Sequence, residues 1–173
     1  AGELLLVKTR GSSKGKLILE AETGFIVRRG GSKTDGKAKR EKYALQNPSG
    51  SETVKFLIKT EKGQEIKYAA VSNDTNPIHT STLFAKAAGL PGRILHGVCV
   101  MAMCTNSLID GVAENNPLRL REVSVRFSYP VIAGDTLTLS GYKTEQDGLH
   151  GINFNVYSGS GKTVINKGVF LYS

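Results

Sequence analysis

The spacing of apolar residues divides the chain into stretches of different character. Residues 3–8 form a short apolar run, Gly11 to Gly15 is a turn, and Leu17 to Val27 is a longer apolar segment. The first 29 residues therefore predict a β-hairpin. Residues 30–50 have no period; they are rich in Gly, Lys and Ser, carry Asn47-Pro48 and Ser49-Gly50 as turn signals, and read as a linker. Val54 to Ile58 predicts a short strand. Between Glu61 and Val71, Ile66, Ala69 and Ala70 fall at helical spacing. Ser72 to His79 is dense in Asn, Asp, Thr and Pro and predicts irregular backbone. Ser81 is placed to cap a helix that runs through Ala88, with Gly89 and Pro91 ending it.

Gly97 to Ile109 reads GVCVMAMCTNSLI. Almost every side chain is small or apolar, which predicts a helix buried on all sides. Strands follow at Leu120 to Tyr129, with Val123, Val125 and Phe127 on one face, and at Leu137 to Lys143, Ile152 to Tyr157 and Val164 to Tyr172. Turns at Ala133-Gly134-Asp135, Asp147-Gly148 and Ser158 to Gly161 separate them. A buried helix followed by an antiparallel meander has a simple solution: the sheet curls around the helix and covers it, an α+β arrangement.

Composition adds little to the fold but narrows the class. Absence of Trp and 20 glycines suit a sheet-rich chain with many turns. The formal net charge of +8 fits a polyanionic partner: nucleic acid, an anionic membrane surface or a phosphate-bearing cofactor. Five of the 23 basic residues lie between Lys33 and Lys42, with only Tyr43 as an aromatic at the edge. Nucleic-acid modules interleave aromatics for base stacking, so no nucleic-acid partner is expected and the run reads as a solvated loop. Cys99 and Cys104, five apart, fall on different faces of a helix, which argues against a disulfide. The absence of CxxC and of a Cys/His cluster argues against a metal site. Both read as buried thiols in a reducing compartment. No apolar run reaches spanning length and no leader pattern opens the chain. The expectation is a soluble intracellular protein without a membrane partner.

Chemistry concentrates in Asp74-Thr-Asn-Pro-Ile-His79. Pro77 fixes its own backbone and biases Asn76 to extended geometry, so the turn is rigid. Such a turn can bring Asp74 and His79 to one cleft. A carboxylate beside an imidazole can hold a water, take its proton and return one. Seventeen residues after His79 comes His96-Gly97, directly before the apolar helix. A helix N-terminus presents free N–H groups and partial positive charge. The Gly97 amide could donate to a thioester carbonyl, a bond that strengthens as enolate charge develops.

D-x-N-P-I-H at Asp74 to His79, F-A-K-A-A-G at Phe84 to Gly89, I-L-H-G at Ile94 to Gly97 and R-F-S-Y-P-V-I-A-G-D at Arg126 to Asp135 resemble the MaoC-like dehydratases and (R)-specific enoyl-CoA hydratases. The resemblance covers residues 52–173. It implies a hot-dog fold: an antiparallel sheet wrapped around a buried central helix. It implies Asp74 and His79 as the acid/base pair, adding water to an enoyl thioester or assisting its loss, and Gly97 as the oxyanion donor. Asn76, Arg93, His96 and Thr105 are expected on the substrate side. The family often has Gly before the aspartate; here Asn73 stands there. No cofactor is implied beyond the CoA of the substrate.

Plainer roles stand beside these. A lone Asp in a turn usually caps backbone. His96 more often orients a loop or caps a helix than does chemistry, and that is its favoured reading. His150 is expected to be exposed and inert, and Thr105 to be a satisfied core hydroxyl. Arg93 is either a solvated loop residue or a phosphate contact. Residues 1–45, hairpin and basic linker, resemble the end of a first hot-dog unit whose central helix the sequence does not contain; 46–173 is the catalytic domain. The expected partner is an acyl-CoA, with an acyl carrier protein as the alternative. Pairing as a homodimer or with another hot-dog unit is expected, in the cytoplasm or a peroxisome. A non-catalytic subunit that shapes an acyl tunnel and a thioesterase are the competing functions.

Overall fold

A computed structural model describes residues 2–28 and 53–173. The basic run between Lys33 and Lys42 lies outside the described residues. The chain divides into two compact units, Ala1–Arg40 and Glu41–Ser173.

In the first unit, β1 (Gly2–Ser13) pairs antiparallel with β2 (Lys16–Arg28). The turn between them is Lys14-Gly15, both with positive φ, 49° and 76°. Two such residues make the two-residue loop whose twist matches the strands it joins. The register sets Lys8 opposite Glu22 and Arg10 opposite Glu20, and both pairs close, at 3.3 and 2.7 Å. The other face carries no charge between Leu5 and Gly11 or between Leu19 and Phe25, and Leu5, Val7, Leu19 and Phe25 are exposed.

The second unit is a five-stranded antiparallel sheet with helices. Its elements are β3 (Thr53–Lys59), α1 (Gln64–Ser72), α2 (Pro77–Thr80), α3 (Thr82–Ala87), α4 (Gly97–Val112), a 3₁₀ turn (Pro117–Arg119), β4 (Leu120–Phe127), β5 (Thr136–Gln146), β6 (Leu149–Tyr157) and β7 (Thr163–Tyr172). The strand order is β3-β5-β6-β7-β4. Only β5, β6 and β7 form a meander. β4 precedes them in sequence yet lies at the far edge beside β7.

Leu137 and Leu139 of β5, Ile152, Phe154 and Val156 of β6, and Val164, Ile165 and Phe170 of β7 are buried in one cluster with Cys99, Val100, Cys104, Leu108 and Ile109 of α4. This is the hot-dog arrangement, a helix in the palm of a curled sheet. It covers α4 on one side only. Val98 is 56% exposed, and Ala102, Asn106 and Asp110, four residues apart along the helix, are exposed with it. The expectation of burial on all sides is thus corrected. A five-stranded sheet reaches around half of a helix, and the remaining stripe lies open in the described chain.

One local expectation also changes. Pro77–Thr80 is a helical turn and not irregular backbone. Pro sits at its first position, where a missing N–H costs nothing, and Asn76 Oδ1 accepts the Ile78 N–H as its cap. α3 begins as read: Ser81 Oγ accepts the Phe84 N–H, and Gly89, at φ 80°, follows its end.

Candidate active site

The site is assembled from the end of α1, the turn α2 and the segment entering α4. Ser72 closes α1 by donating its hydroxyl to Tyr68 O at 2.7 Å, while its Oγ accepts the Asp74 N–H at 3.3 Å. Asn73 follows in the left-handed region, φ 57° and ψ 21°. That reversal turns the chain so that Asp74 faces back toward α2. Asp74 Oδ1 accepts the Asn76 N–H at 3.3 Å, and Asn76 Oδ1 in turn accepts from Ile78. Two consecutive side-chain-to-backbone bonds of this kind hold an irregular turn in one shape.

His79 is buried, 7% exposed, and its Nδ1 lies 2.7 Å from Ile94 O. A carbonyl can only accept, so Nδ1 carries the proton and Nε2 presents its lone pair. The Ile94 N–H donates to Ile78 O at 3.2 Å, which locks α2 to the segment before α4 from both sides. His96, also buried, places its ring 3.6 Å from that of His79 at an interplanar angle of 19°. Its Nε2 donates to Asp74 O at 3.0 Å. A polar atom of each of Asp74, His79 and His96 lies within 4.8 Å of the others. A carboxylate and a directed imidazole lone pair this close permit proton transfer to and from a bound water.

These three residues are also the cluster among the described residues with the donor types of a metal site. The ring geometry opposes it. A metal lies in the plane of each imidazole it binds, and two nearly parallel rings stacked 3.6 Å apart do not aim their lone pairs at one point.

Gly97 is the first residue of α4, so its N–H has no acceptor within the helix. A Cβ built there would meet the Phe127 ring at 3.2 Å, so glycine is what lets that ring lie against the helix start. Beside it opens a cavity of about 420 Å³ lined by His79, Leu90, Ile94, Gly97, Phe127, Tyr129, Val131 and Val164 among others. Its walls are mostly apolar, and His79 and Gly97 are both among them.

Of the residues expected from sequence, Asp74, His79, His96 and Gly97 come together, and His79 and Gly97 face the cavity. The Asp74 side chain remains 54% exposed. Asn76 is occupied as a helix cap. Arg93 donates its Nε to Glu65 Oε1 at 3.0 Å, and Glu65 is 3% exposed, so the guanidinium is anchored to α1 rather than free in a loop. Thr105 donates its hydroxyl to Met101 O at 2.9 Å, one turn back in its own helix. His96 does not cap α4 with its side chain; its ring bonds the Asp74 loop instead. His150 is exposed, as read. Sequence reading missed the cavity wall formed by Phe127, Tyr129, Leu90, Val131 and Val164. The available signal was Arg126 to Pro130, where two aromatics flank a serine just before a proline stop; both rings are nearly half exposed, at 48% and 44%.

Residues 45–161 match the MaoC like domain family, and the chain belongs to it. It is 34% identical over 132 residues to the peroxisomal multifunctional enzyme type 2 of Drosophila melanogaster, an alignment covering 73% of this chain and 21% of that protein. It is 37% identical over 79 residues to the enoyl-CoA hydratase 2, peroxisomal, of Arabidopsis thaliana, covering 46% of this chain and 25% of that one. The crystal structure of a MaoC-like dehydratase from Phytophthora capsici superposes with a TM-score of 0.81 at 25% identity, over 99% of this chain and 57% of that one. The chain spans between one twentieth and about half the length of the curated relatives it matches.

Proposed function

We propose that this chain carries the hydro-lyase site of an (R)-specific enoyl thioester hydratase: addition of water to a trans-2-enoyl-CoA, or the reverse loss of water from a (3R)-hydroxyacyl-CoA. The observation that carries the reading is the His79 ring, with its Nδ1 proton committed to Ile94 O and its Nε2 lone pair open, set beside the Asp74 carboxylate and lining an apolar cavity. Water held between the two loses one proton to the pair as its oxygen bonds C3. The electrons of the C2–C3 bond move onto the thioester oxygen, where the Gly97 N–H donates to the enolate. A proton returned to C2 restores the thioester and balances the addition. The acyl chain occupies the cavity between α4 and β4. The net charge of +8 suits the phosphates of CoA and equally an acidic carrier protein, which is the second substrate reading.

Two further points belong to this proposal. The working form is a pair of hot-dog units, from a second copy or another segment of chain, because the open stripe of α4 needs a cover. The site of action is peroxisomal or cytoplasmic; the named relatives include peroxisomal proteins, and among the described residues no helix is long and apolar enough to cross a membrane. An acyl-tunnel subunit without chemistry is disfavoured by the complete acid/base pair. A thioesterase is disfavoured by a turn suited to adding water across an alkene.

Loss of absorbance at the enoyl thioester band, with crotonyl-CoA and a longer enoyl-CoA, followed by chiral analysis, tests the reading. The (3R) product is expected. A (3S) product, or no turnover at any chain length by the protein in its paired form, would refute it.

A further inference from the structure

His96 contributes nothing to the cavity wall, yet it touches every part of the machinery. Its side chain is 3% exposed. One ring face lies 3.6 Å from the His79 ring, and the Tyr68 ring tilts against it at 4.8 Å. Its Nε2–H is spent on the backbone carbonyl of Asp74 at 3.0 Å. The remaining nitrogen, Nδ1, is buried with no hydrogen-bond partner. Its own backbone is the N-cap of α4, and the next residue is Gly97. A buried imidazole nitrogen left unpaired is unfavourable, so packing alone would favour an apolar ring at this position. What an apolar ring lacks is the N–H that reaches Asp74.

We infer that His96 is a positioning residue of the reaction: its N–H ties the Asp74 loop to the start of α4, and its ring face backs His79, so that acid, base and oxyanion donor keep one spacing. This rests on the hydratase reading above. It makes the two halves of the motif, Asp74 to His79 and Ile94 to Gly97, one mechanical unit. It also gives the reason why Asp74, though half exposed, has a defined place: its backbone is held from inside the protein even where its carboxylate meets solvent.

Two variants separate this role from core filling. His96→Phe keeps a ring against His79 and Tyr68 but has no donor. His96→Gln can place an amide N–H where Nε2 stands but loses the stack. A filler predicts that Phe is tolerated better than Gln, since Gln buries an amide among rings. The positioning role predicts the opposite order in turnover. His96→Phe should lower kcat by about tenfold to 10²-fold, the scale of a small misplacement of reacting groups, with KM little changed and thermal stability no lower than that of His96→Gln. His96→Gln should recover most of that loss. Equal or better turnover in His96→Phe overturns the inference, as does a loss confined to KM. A crystal structure of His96→Phe decides it without any assay: the Asp74 loop is expected to move away from His79, and an unmoved loop refutes the inference. Wild-type protein without hydratase turnover would refute the functional reading alone, and the structure of the variant would still decide the placement.

Discussion

Asn73 shows how a single backbone angle serves the site. The residue before Asp74 must adopt φ 57° to end α1 and turn the chain back. Glycine does this without strain, and asparagine is among the few other residues that tolerate it. The departure from the family's usual Gly therefore leaves the geometry intact. Asn73→Gly should keep stability close to wild type in denaturant unfolding, whereas Asn73→Val should cost roughly 1–2 kcal/mol, the penalty for a branched side chain in this region. Chemistry at the neighbouring residues separates from stability. Asp74→Asn and His79→Ala should each reduce kcat by about 10²–10⁴-fold, the usual scale for losing an acid/base group, with the fold retained by circular dichroism; Asp74→Asn should melt near wild type, and His79→Ala at a lower temperature because Ile94 O loses its donor and the His96 ring its stack. Near-normal turnover in either variant would remove that residue from the mechanism.

The helices hold these residues through a few long-range ties. Arg93 reaches from the segment before α4 to Glu65 in the first turn of α1, and the carboxylate it meets is buried with Oε2 unpaired. Removing the guanidinium would leave that charge without its partner. Arg93→Met should destabilise the fold by about 1–3 kcal/mol, discounted for the partly exposed Arg side chain, and Glu65→Met together with Arg93→Met should recover part of the loss. A change in KM for the CoA ester with no change in stability would return Arg93 to the role of a phosphate contact. α4 supplies a second test. Burial pushes the Cys104 thiol up to about 12 from an ordinary value of 9.0, and burial outweighs the Gln64 contact in raising Cys99. The thiolate is the reactive form, so neither cysteine should react with a neutral-pH thiol reagent until the protein unfolds. Because the folded Cys104 holds its proton more tightly than the unfolded one, its contribution to stability is complete below about pH 9 and is lost as pH rises toward 12. Rapid labelling of both thiols in the native protein would show that α4 opens readily.

At the scale of the whole molecule, two stretches are exposed among the described residues. One is the exposed stripe of α4 from Val98 to Asp110; the other is the uncharged face of the hairpin, with Leu5, Val7, Leu19 and Phe25. A two-stranded hairpin is marginal alone in water, and β3 and β4 are edge strands of the sheet, open to pairing. The expected active species is larger than one chain. Light scattering at micromolar concentration, coupled to the hydration assay, should place activity in a dimer or a complex with a further unit. Full activity at the 18.6 kDa mass of one chain would refute this and require another wall for the acyl site.

Local chemistry by itself determined where the candidate site lies along the chain. Asp74, His79 and Gly97 were legible because each sits beside a residue with a backbone consequence: Pro77 stiffening the turn, and an apolar helix beginning at Gly97. The strands and the caps at Ser81 and Gly89 were legible from period and turn residues, since both act over a few positions. Three things were decided only by tertiary structure. The edge position of β4 and the Phe127 and Tyr129 wall depend on which strands pair, which alternation within one strand does not encode. The half-covered state of α4 depends on how far five strands curl, whereas its composition records only that both sides avoid charge until Asp110. The stacking of His96 on His79 and its bond to Asp74 join residues 17 and 22 positions apart, and no local pattern marks that contact; it exists because Ile94 pairs with Ile78 and draws the two segments together.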